Sequence, residues 1–120
     1  MSFNETAELM RRFNDAFVRH DPAALVDLVA EDCVLENTNP APNGSRHVGR
    51  AACLAVWQGL AAALEARFDV EEMFIAAEDR AILRWRYVWG KGESDSVRGV
   101  NLMRVRGGKI VEALGYVKGA

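Results

Sequence analysis

The sequence predicts a single α+β domain in which helices come first and a mainly antiparallel sheet follows. Three observations support this prediction. Apolar residues recur at steps of three and four in the N-terminal half, as they do on one face of a helix. Strand-like stretches rich in β-branched and aromatic residues fill the second half. The pair Gly107-Gly108 supplies the positive φ that a tight hairpin turn between two strands requires.

Three helical segments precede most of the sheet. Residues 4–19 form an amphipathic helix with an apolar face of Leu9, Met10, Phe13, Ala16 and Phe17. Asp21 before Pro22 marks the start of a short second helix over residues 22–30, with Asp21 as its predicted cap. A third helix over residues 50–64 is alanine-rich and places Cys53, Val56, Trp57, Leu60, Ala61 and Leu64 on one face.

Strands are predicted over residues 33–37, 68–76, 81–89 and 96–118, the last stretch being a hairpin. Residues 38–45 contain two prolines among turn-forming residues and are predicted to be a loop at a rim. Alternation is clearest in the strand ILRWRYVW, where Leu83, Trp85, Tyr87 and Trp89 share one face. Arg84 and Arg86 fall on the other face. We therefore expect the aromatic face to meet the helices.

Length and composition limit the possible functions. The 120 residues fit one domain, 1–120, and the formal net charge of −2 argues against nucleic acid as the main partner. Cys33 and Cys53 lack the spacing of a metal site, so we expect two reduced, buried thiols and no metal or other cofactor. The N-terminus has no signal-like or membrane-spanning pattern, which predicts a cytoplasmic protein without a membrane partner.

Three stretches carry a resemblance to a known family: FNDAFVRHDPAALVDLVAEDCVLEN, HVGRAA and RGVNLMRVRGGKIVEALGYVKG. In this order they resemble the nuclear transport factor 2-like superfamily and, within it, the SnoaL-like proteins. The resemblance implies a cystatin-like cone, in which three N-terminal helices pack in the concave face of a curved sheet. It also implies an apolar pocket inside the cone and a homodimer formed through the outer face of the sheet. The superfamily includes enzymes and binding proteins, so fold alone does not give function.

The resemblance to ketosteroid isomerases places Phe13, Asn37 and Asn101 at the positions of the catalytic Tyr, the general base and the carboxylic acid. A phenyl ring has no hydroxyl and a neutral amide is no general base, so no ketosteroid isomerase activity is expected. The Asp-Arg-Asp arrangement of the related epoxide hydrolases is also incomplete. Val100 and Asn101 stand two and three residues after Arg98, so the nearby acid is missing there. Strict alternation also turns Arg98 away from Asn101 unless Gly99 forms a bulge.

The predicted pocket is aromatic, with two amides as its polar points. Its candidate ligand-binding residues are Phe13, Phe17, Asn37, Trp57, Trp85, Tyr87, Asn101 and Met103, and Leu83 and Trp89 are expected beside them. His47 follows the proline-rich loop and is the candidate catalytic acid or base at the pocket mouth. The facing of Glu36, Glu72, Glu112 and Tyr116 depends on strand register and stays open, because a slip of one residue inverts the faces.

These residues favour a protein that binds a small hydrophobic or mildly polar, cyclic metabolite. One alternative is a metal-independent isomerase, cyclase or hydratase that acts on a polyketide- or terpenoid-like substrate. The other is an interaction module whose pocket is filled by its own side chains. A cavity of several hundred Å³ favours a ligand, whereas an inward carboxylate with a raised pKa favours an enzyme.

Overall fold

A computed structural model describes residues 1–119 as six strands, two α-helices and two short 3₁₀ helices. The helices α1 and α2 span Phe3–Val18 and Arg50–Ala62, and the 3₁₀ helices span Pro22–Leu28 and Glu93–Asp95. The strands are β1 (Val29–Asn37), β2 (Ser45–Val48), β3 (Arg67–Ala77), β4 (Arg80–Val88), β5 (Ser96–Arg106) and β6 (Lys109–Val117). The predicted α+β order of helices and strands is confirmed.

The six strands form one curved, open sheet in the order β2-β1-β6-β5-β4-β3. The pairs β3–β4, β4–β5 and β5–β6 are antiparallel, and so is β1–β2. In contrast, β1 and β6 run parallel, which joins the first strand of the chain to the last. The sheet is therefore mainly antiparallel, as predicted, but it is not a simple meander.

The N-terminal helix α1 begins with a reciprocal cap. The backbone amide of Glu5 donates to the Ser2 hydroxyl, and the Glu5 carboxylate accepts from the Ser2 amide. These bonds satisfy two of the amides that a helix start leaves free. The buried side of α1 carries Leu9, Met10, Phe13, Ala16 and Phe17, as its periodicity predicts, and it packs on β3 and β4.

The segment after α1 differs from the prediction in the type of its helix and in the start of β1. Residues Pro22–Leu28 form a 3₁₀ helix rather than an α-helix, and the Asp21 side chain makes no capping hydrogen bond. Val29 and Ala30 already belong to β1, so the strand begins four residues before the predicted start at Cys33. Both differences arise because Leu25, Leu28 and Val29 are fully buried, and tertiary packing overrides local helix propensity.

Strand β2 was not predicted from the sequence. Ser45–Val48 lies within and just after the turn-forming stretch and pairs with the end of β1, with Leu35 opposite His47. Four residues with a half-exposed burial pattern carry little periodic signal. The strand forms because β1 offers it an open edge.

The core lies between the helices and the concave face of the sheet. Cys33, Leu35, Leu83, Met103, Val105, Ile110 and Ala113 come from the strands, and Cys53, Trp57 and Ala61 come from α2. One end of the concave face is closed by this core, and the other end opens into a cavity.

Candidate functional site

A cavity of about 550 Å³ opens between the helices and the concave face of the sheet. Its walls are mostly aromatic and aliphatic; the lining residues on the helices are Phe13, Asn14, Phe17, Trp57 and Leu60. The strands contribute Leu35, Phe68, Val70, Leu83, Trp85, Tyr87, Val97, Asn101, Gly115 and Val117, among others. This volume and lining are typical of sites for small organic ligands.

The aromatic walls are tightly ordered against one another. Phe13 packs edge-on against Phe17 and Trp57, with ring centroids 5.0 Å apart in both pairs. Phe68 contacts Trp85 and Tyr87 on the neighbouring strand, with ring centroids 5.5 Å and 4.6 Å apart. Contacts of this kind contribute beyond their buried area and hold the rings in place. The cavity therefore has a largely preformed shape.

The polar side chains of the cavity are mainly neutral. Asn14, Asn37, Thr38, Asn39 and Asn101 line it, and no lysine or arginine among residues 1–119 does. Burial raises the pKa of the Tyr87 phenol, with a smaller contribution from the nearby Glu65 charge, so Tyr87 remains a neutral hydroxyl group. The cavity thus offers hydrogen bonds without a cation for an anionic ligand.

Glu36 is the carboxylate closest to this site, but its charge is directed elsewhere. Glu36 lines the cavity, while its Oε2 accepts a hydrogen bond of 3.0 Å from Arg46 on β2. The pKa of Glu5, Asp32 and Glu71 is lowered, chiefly by hydrogen bonds to their carboxylates, and none of these three lines the cavity. The Glu36 carboxylate is therefore engaged in an ion pair with Arg46 rather than left free to face a ligand.

Comparison with family models places most of this chain in a known family. Residues 10–113 match the SnoaL-like domain. The chain belongs to the SnoaL-like family. A search of curated proteins found no match. The resemblance seen in the sequence is thereby confirmed at the level of family and fold.

Solved structures of relatives support the same assignment. The SnoaL-like chain is 61% identical to an NTF2-like protein of unknown function from Mesorhizobium loti, over 97% of this chain and 93% of the other, with a TM-score of 0.89. A candidate polyketide cyclase from Sinorhizobium meliloti shares the fold at 21% identity, 97% and 100% coverage and a TM-score of 0.74. A protein with a cystatin-like fold from Methylobium petroleophilum shares it at 18% identity, 100% and 80% coverage and a TM-score of 0.80.

Seven of the eight predicted ligand-binding residues of this SnoaL-like protein lie around one cavity. They are Phe13, Phe17, Asn37, Trp57, Trp85, Tyr87 and Asn101, and Leu83 and Trp89 lie beside them as expected. Their role in binding stays a prediction. Met103 does not line the cavity. It lies two residues after Asn101 on the same face of β5, but it is 1% exposed and belongs to the closed core.

His47 does not line the cavity either. It lies on β2, where its Nε2 atom is 3.0 Å from the Ser45 hydroxyl. It is thus held on the edge strand outside the aromatic walls, and the structure gives the predicted catalytic role no geometric support. The other histidine, His20, contacts the Ala61 carbonyl through Nδ1 at 3.0 Å and links the end of α1 to α2.

The open question of strand register is answered by ion pairs on the convex face. Glu72 pairs with Arg84 and Glu112 pairs with Arg104, and Tyr116 is 54% exposed. Arg98 forms a 2.8 Å ion pair with Glu71 on the same convex face. The β4–β5 register is continuous through Gly99, so the bulge that would have turned Arg98 inward is absent from this ladder.

The lining residues that were not predicted include Leu35, Leu60, Phe68, Val70 and Val97, and three further groups. Gly115 and Val117 follow from alternation once the β5–β6 register is known. Asn14 lies one residue after Phe13 and three before Phe17, so the helical face was predicted too narrowly. Thr38, Asn39 and Ala41 lie in a loop without periodicity, and only their closeness to Asn37 could have indicated them.

The two cysteines behave as predicted for buried thiols. Both are free and fully buried, and the Cys53 thiol donates to the Cys33 carbonyl at 3.4 Å. Burial raises the pKa of the Cys33 thiol well above its usual range, with the neighbouring Cys53 adding to the effect. A thiol that stays protonated is a poor nucleophile, so these residues belong to the core.

None of the helices formed by residues 1–119 has the length and hydropathy of a membrane-spanning segment.

Proposed function

We propose that this SnoaL-like protein binds a small, uncharged, flat or cyclic molecule in the concave cavity. The observation that supports the proposal is the combination of about 550 Å³ of space, aromatic walls and neutral polar side chains. A charged ligand would lose its hydration without gaining a counter-ion, which is costly in an apolar site. A flat apolar ligand, in contrast, would replace water against the rings of Phe68, Trp85 and Tyr87.

This proposal is favoured over the two alternatives by the geometry of the cavity. An interaction module with a self-filled pocket would have a closed aromatic core, whereas this cavity lies within the range of ligand sites. An isomerase, cyclase or hydratase would need an acid or base beside the substrate, and Glu36 is engaged with Arg46. The likeness to a candidate polyketide cyclase at 21% identity concerns the fold alone.

Native mass spectrometry with a blocked-cavity variant tests the proposal. Val97 lines the cavity near its mouth, so Val97→Trp should fill the space and exclude the ligand. Val88 lies between Tyr87 and Trp89 on β4 and therefore faces the opposite side of the sheet, which makes Val88→Trp the matched control. We expect a released small molecule, or a thermal shift with neutral polycyclic compounds, for the wild type and the control but not for Val97→Trp.

A cavity that carries no molecule, and a melting temperature that no neutral polycyclic compound raises, would contradict ligand binding. Equal loading of the wild type and Val97→Trp would also contradict it, because the molecule would then bind elsewhere.

We also propose a homodimer that forms through the convex face of the sheet. Phe74, Ile82, Leu102 and Leu114 are cross-strand neighbours in one apolar row, and Phe74 is 56% exposed. Carboxylates and guanidinium groups flank this row, so a two-fold axis could place opposite charges of two copies together. Sedimentation velocity at micromolar concentration should give a dimer, and Leu102→Glu should give a monomer. A monomeric wild type would contradict the proposal.

A further inference from the structure

The orientation of two cavity amides is fixed by hydrogen bonds that can run in only one direction. The Trp85 indole N–H donates to Asn101 Oδ1 at 3.2 Å, and the Thr38 backbone N–H donates to Asn37 Oδ1 at 2.9 Å. An indole nitrogen and a backbone amide only donate, so in both residues the accepting atom is the oxygen. The NH₂ groups of Asn101 and Asn37 are therefore left to donate to another partner.

The indole that fixes Asn101 is itself held by a glycine on the neighbouring strand. Gly99 pairs with Trp85 across the β4–β5 ladder. A Cβ atom at position 99 would lie 2.6 Å from Cζ2 and 2.7 Å from Cη2 of that indole, closer than atoms can approach. The missing side chain of Gly99 thus allows the ring to lie against the sheet. Phe68 contacts the ring at 5.5 Å from β3.

Asn101 lies at the inner end of the cavity, while the wall that β4 forms is aromatic towards the mouth. Along the β4–β5 ladder, the pair Ala81 and Met103 is closed off in the core, and Asn101 with its partner Leu83 forms the next inward-facing pair. Just beyond the end of β4, this wall ends at Trp89, which is 47% exposed. A ligand that enters from the mouth therefore passes the aromatic side chains before its leading end reaches the side-chain amide of Asn101.

Gly115 on β6 provides the space between the two amides. It pairs with Asn101, and a Cβ atom there would lie 3.2 Å from Asn101 Oδ1 and 3.4 Å from Thr38 Cγ2. Because β6 lies between β1 and β5, Asn37 and Asn101 flank it at a separation of roughly two strand spacings, about 10 Å. Both donors can therefore approach the same end of one ligand.

We infer that the ligand carries a neutral carbonyl-type oxygen at its leading end, which accepts a hydrogen bond from the NH₂ group of Asn101. Trp85 is a positioning residue that fixes the direction of this bond. The inference rests on the proposed function, since it describes the ligand of the same cavity. A carboxylate fits less well because, among residues 1–119, no lysine or arginine lines the cavity. A carbonyl oxygen is satisfied by donors alone, whereas a hydroxyl also brings a proton that needs an acceptor.

Two probes of nearly equal size test the inference: 2-acetylnaphthalene, which carries a ketone, and 2-ethylnaphthalene, which does not. Isothermal titration calorimetry of the wild type should show about three- to tenfold tighter binding of the ketone, the range expected for one net hydrogen bond. The carbonyl stretching band of the bound ketone should move to lower wavenumber than in an aprotic solvent.

Variants separate the direction of the hydrogen bond from packing. Trp85→Phe keeps a ring but removes the N–H, so Asn101 can turn over and the preference for the ketone should fall towards one. Asn101→Leu should abolish the preference and the shift of the carbonyl band. Trp57→Phe also replaces a cavity indole by a phenyl ring but leaves the Trp85–Asn101 bond intact. It is the matched control, and it should change the affinity for both probes by the same factor.

Equal affinity of the wild type for the two probes would overturn the inference while leaving hydrophobic binding, and so the proposed function, in place. Binding of neither naphthalene would count against the proposed function and the inference together. An unchanged ketone preference in Trp85→Phe would overturn the positioning role of the indole.

Discussion

The two faces of the sheet are built from the same strands but have opposite chemistry. On the concave face, β4 and β5 contribute Leu83, Trp85, Tyr87 and Asn101, and the polar groups there are neutral. On the convex face, the same two strands contribute arginines that pair with glutamates of β3 and β6, at 3.4 Å for Arg84–Glu72 and 3.7 Å for Arg104–Glu112. Strict alternation along the strands therefore separates apolar binding surface from charge.

This separation shows which face can carry which function. Exposed ion pairs contribute little to stability, so the convex charges mainly keep that face hydrated and set which surface it can meet. The concave face of β4 and β5 carries no charged side chain among the cavity residues and keeps its polar groups few, which suits recognition of a neutral molecule. The comparison predicts that substitutions on neighbouring strands have very different effects depending on the face they alter.

The largest difference is expected between Leu83→Ala and Leu102→Ala. Leu83 is 2% exposed on the concave face, so its truncation should lower the free energy of unfolding by about 3 kcal/mol. Leu102 is only partly buried on the convex face, and its truncation should cost about 1 kcal/mol or less when the protein is dilute. Urea unfolding of both variants measures this difference. Similar losses at both positions would remove the distinction between the two faces.

The proposed homodimer sharpens the same comparison. If a second copy covers the convex face, the loss caused by Leu102→Ala should grow with protein concentration, because folding and association are then linked. The loss caused by Leu83→Ala should not. If Leu102→Ala lowers the free energy of unfolding by the same amount at every protein concentration, association through this face is contradicted.

A further effect is expected at Gly99 on the concave face, where the missing side chain leaves room for the Trp85 indole. In Gly99→Ala, the new Cβ atom would meet the Trp85 ring on one side and the Tyr116 carbonyl at 2.5 Å. Overpacking of this kind should cost about 1–3 kcal/mol and displace the indole. Gly59→Ala is the matched control, because α2 leaves that position open and alanine should stabilise the helix by up to about 1 kcal/mol. Chemical denaturation of both variants measures their free energies of unfolding. If Gly99→Ala leaves the free energy of unfolding unchanged, the close contact between position 99 and the Trp85 ring is contradicted.

Much of this architecture could be predicted because its periodic signals are strong. The alternation in β4 correctly placed Leu83, Trp85, Tyr87 and Trp89 on the cavity side, and continuing the alternation through β5 correctly turned Arg98 outward. The family resemblance placed Phe13, Asn37 and Asn101 at positions that do meet around one cavity. Local pattern and family together therefore gave the fold and most of the aromatic side chains of the cavity wall.

The remaining features depend on contacts that a single sequence does not record. The parallel pairing of β1 with β6 joins segments that lie about 80 residues apart, and no local pattern specifies it. Met103 and Asn101 lie on the same face of β5. Met103 is buried in the core and Asn101 reaches the cavity only because the core ends between them. The direction of the Asn101 amide required the position of the Trp85 indole, which follows from Gly99 on another strand.

The aromatic lining gives the protein a built-in optical reporter. The chain contains three tryptophans, and all three line the cavity. Trp57 is buried and Trp89 is half exposed at the mouth, so their emission differs in colour and in access to quenchers. Because no tryptophan lies elsewhere in the sequence, the tryptophan fluorescence of the protein, excited selectively at a wavelength that tyrosine does not absorb, reports on this one cavity. Any molecule that enters can be followed without a label, and its depth can be judged from which of the three indoles responds.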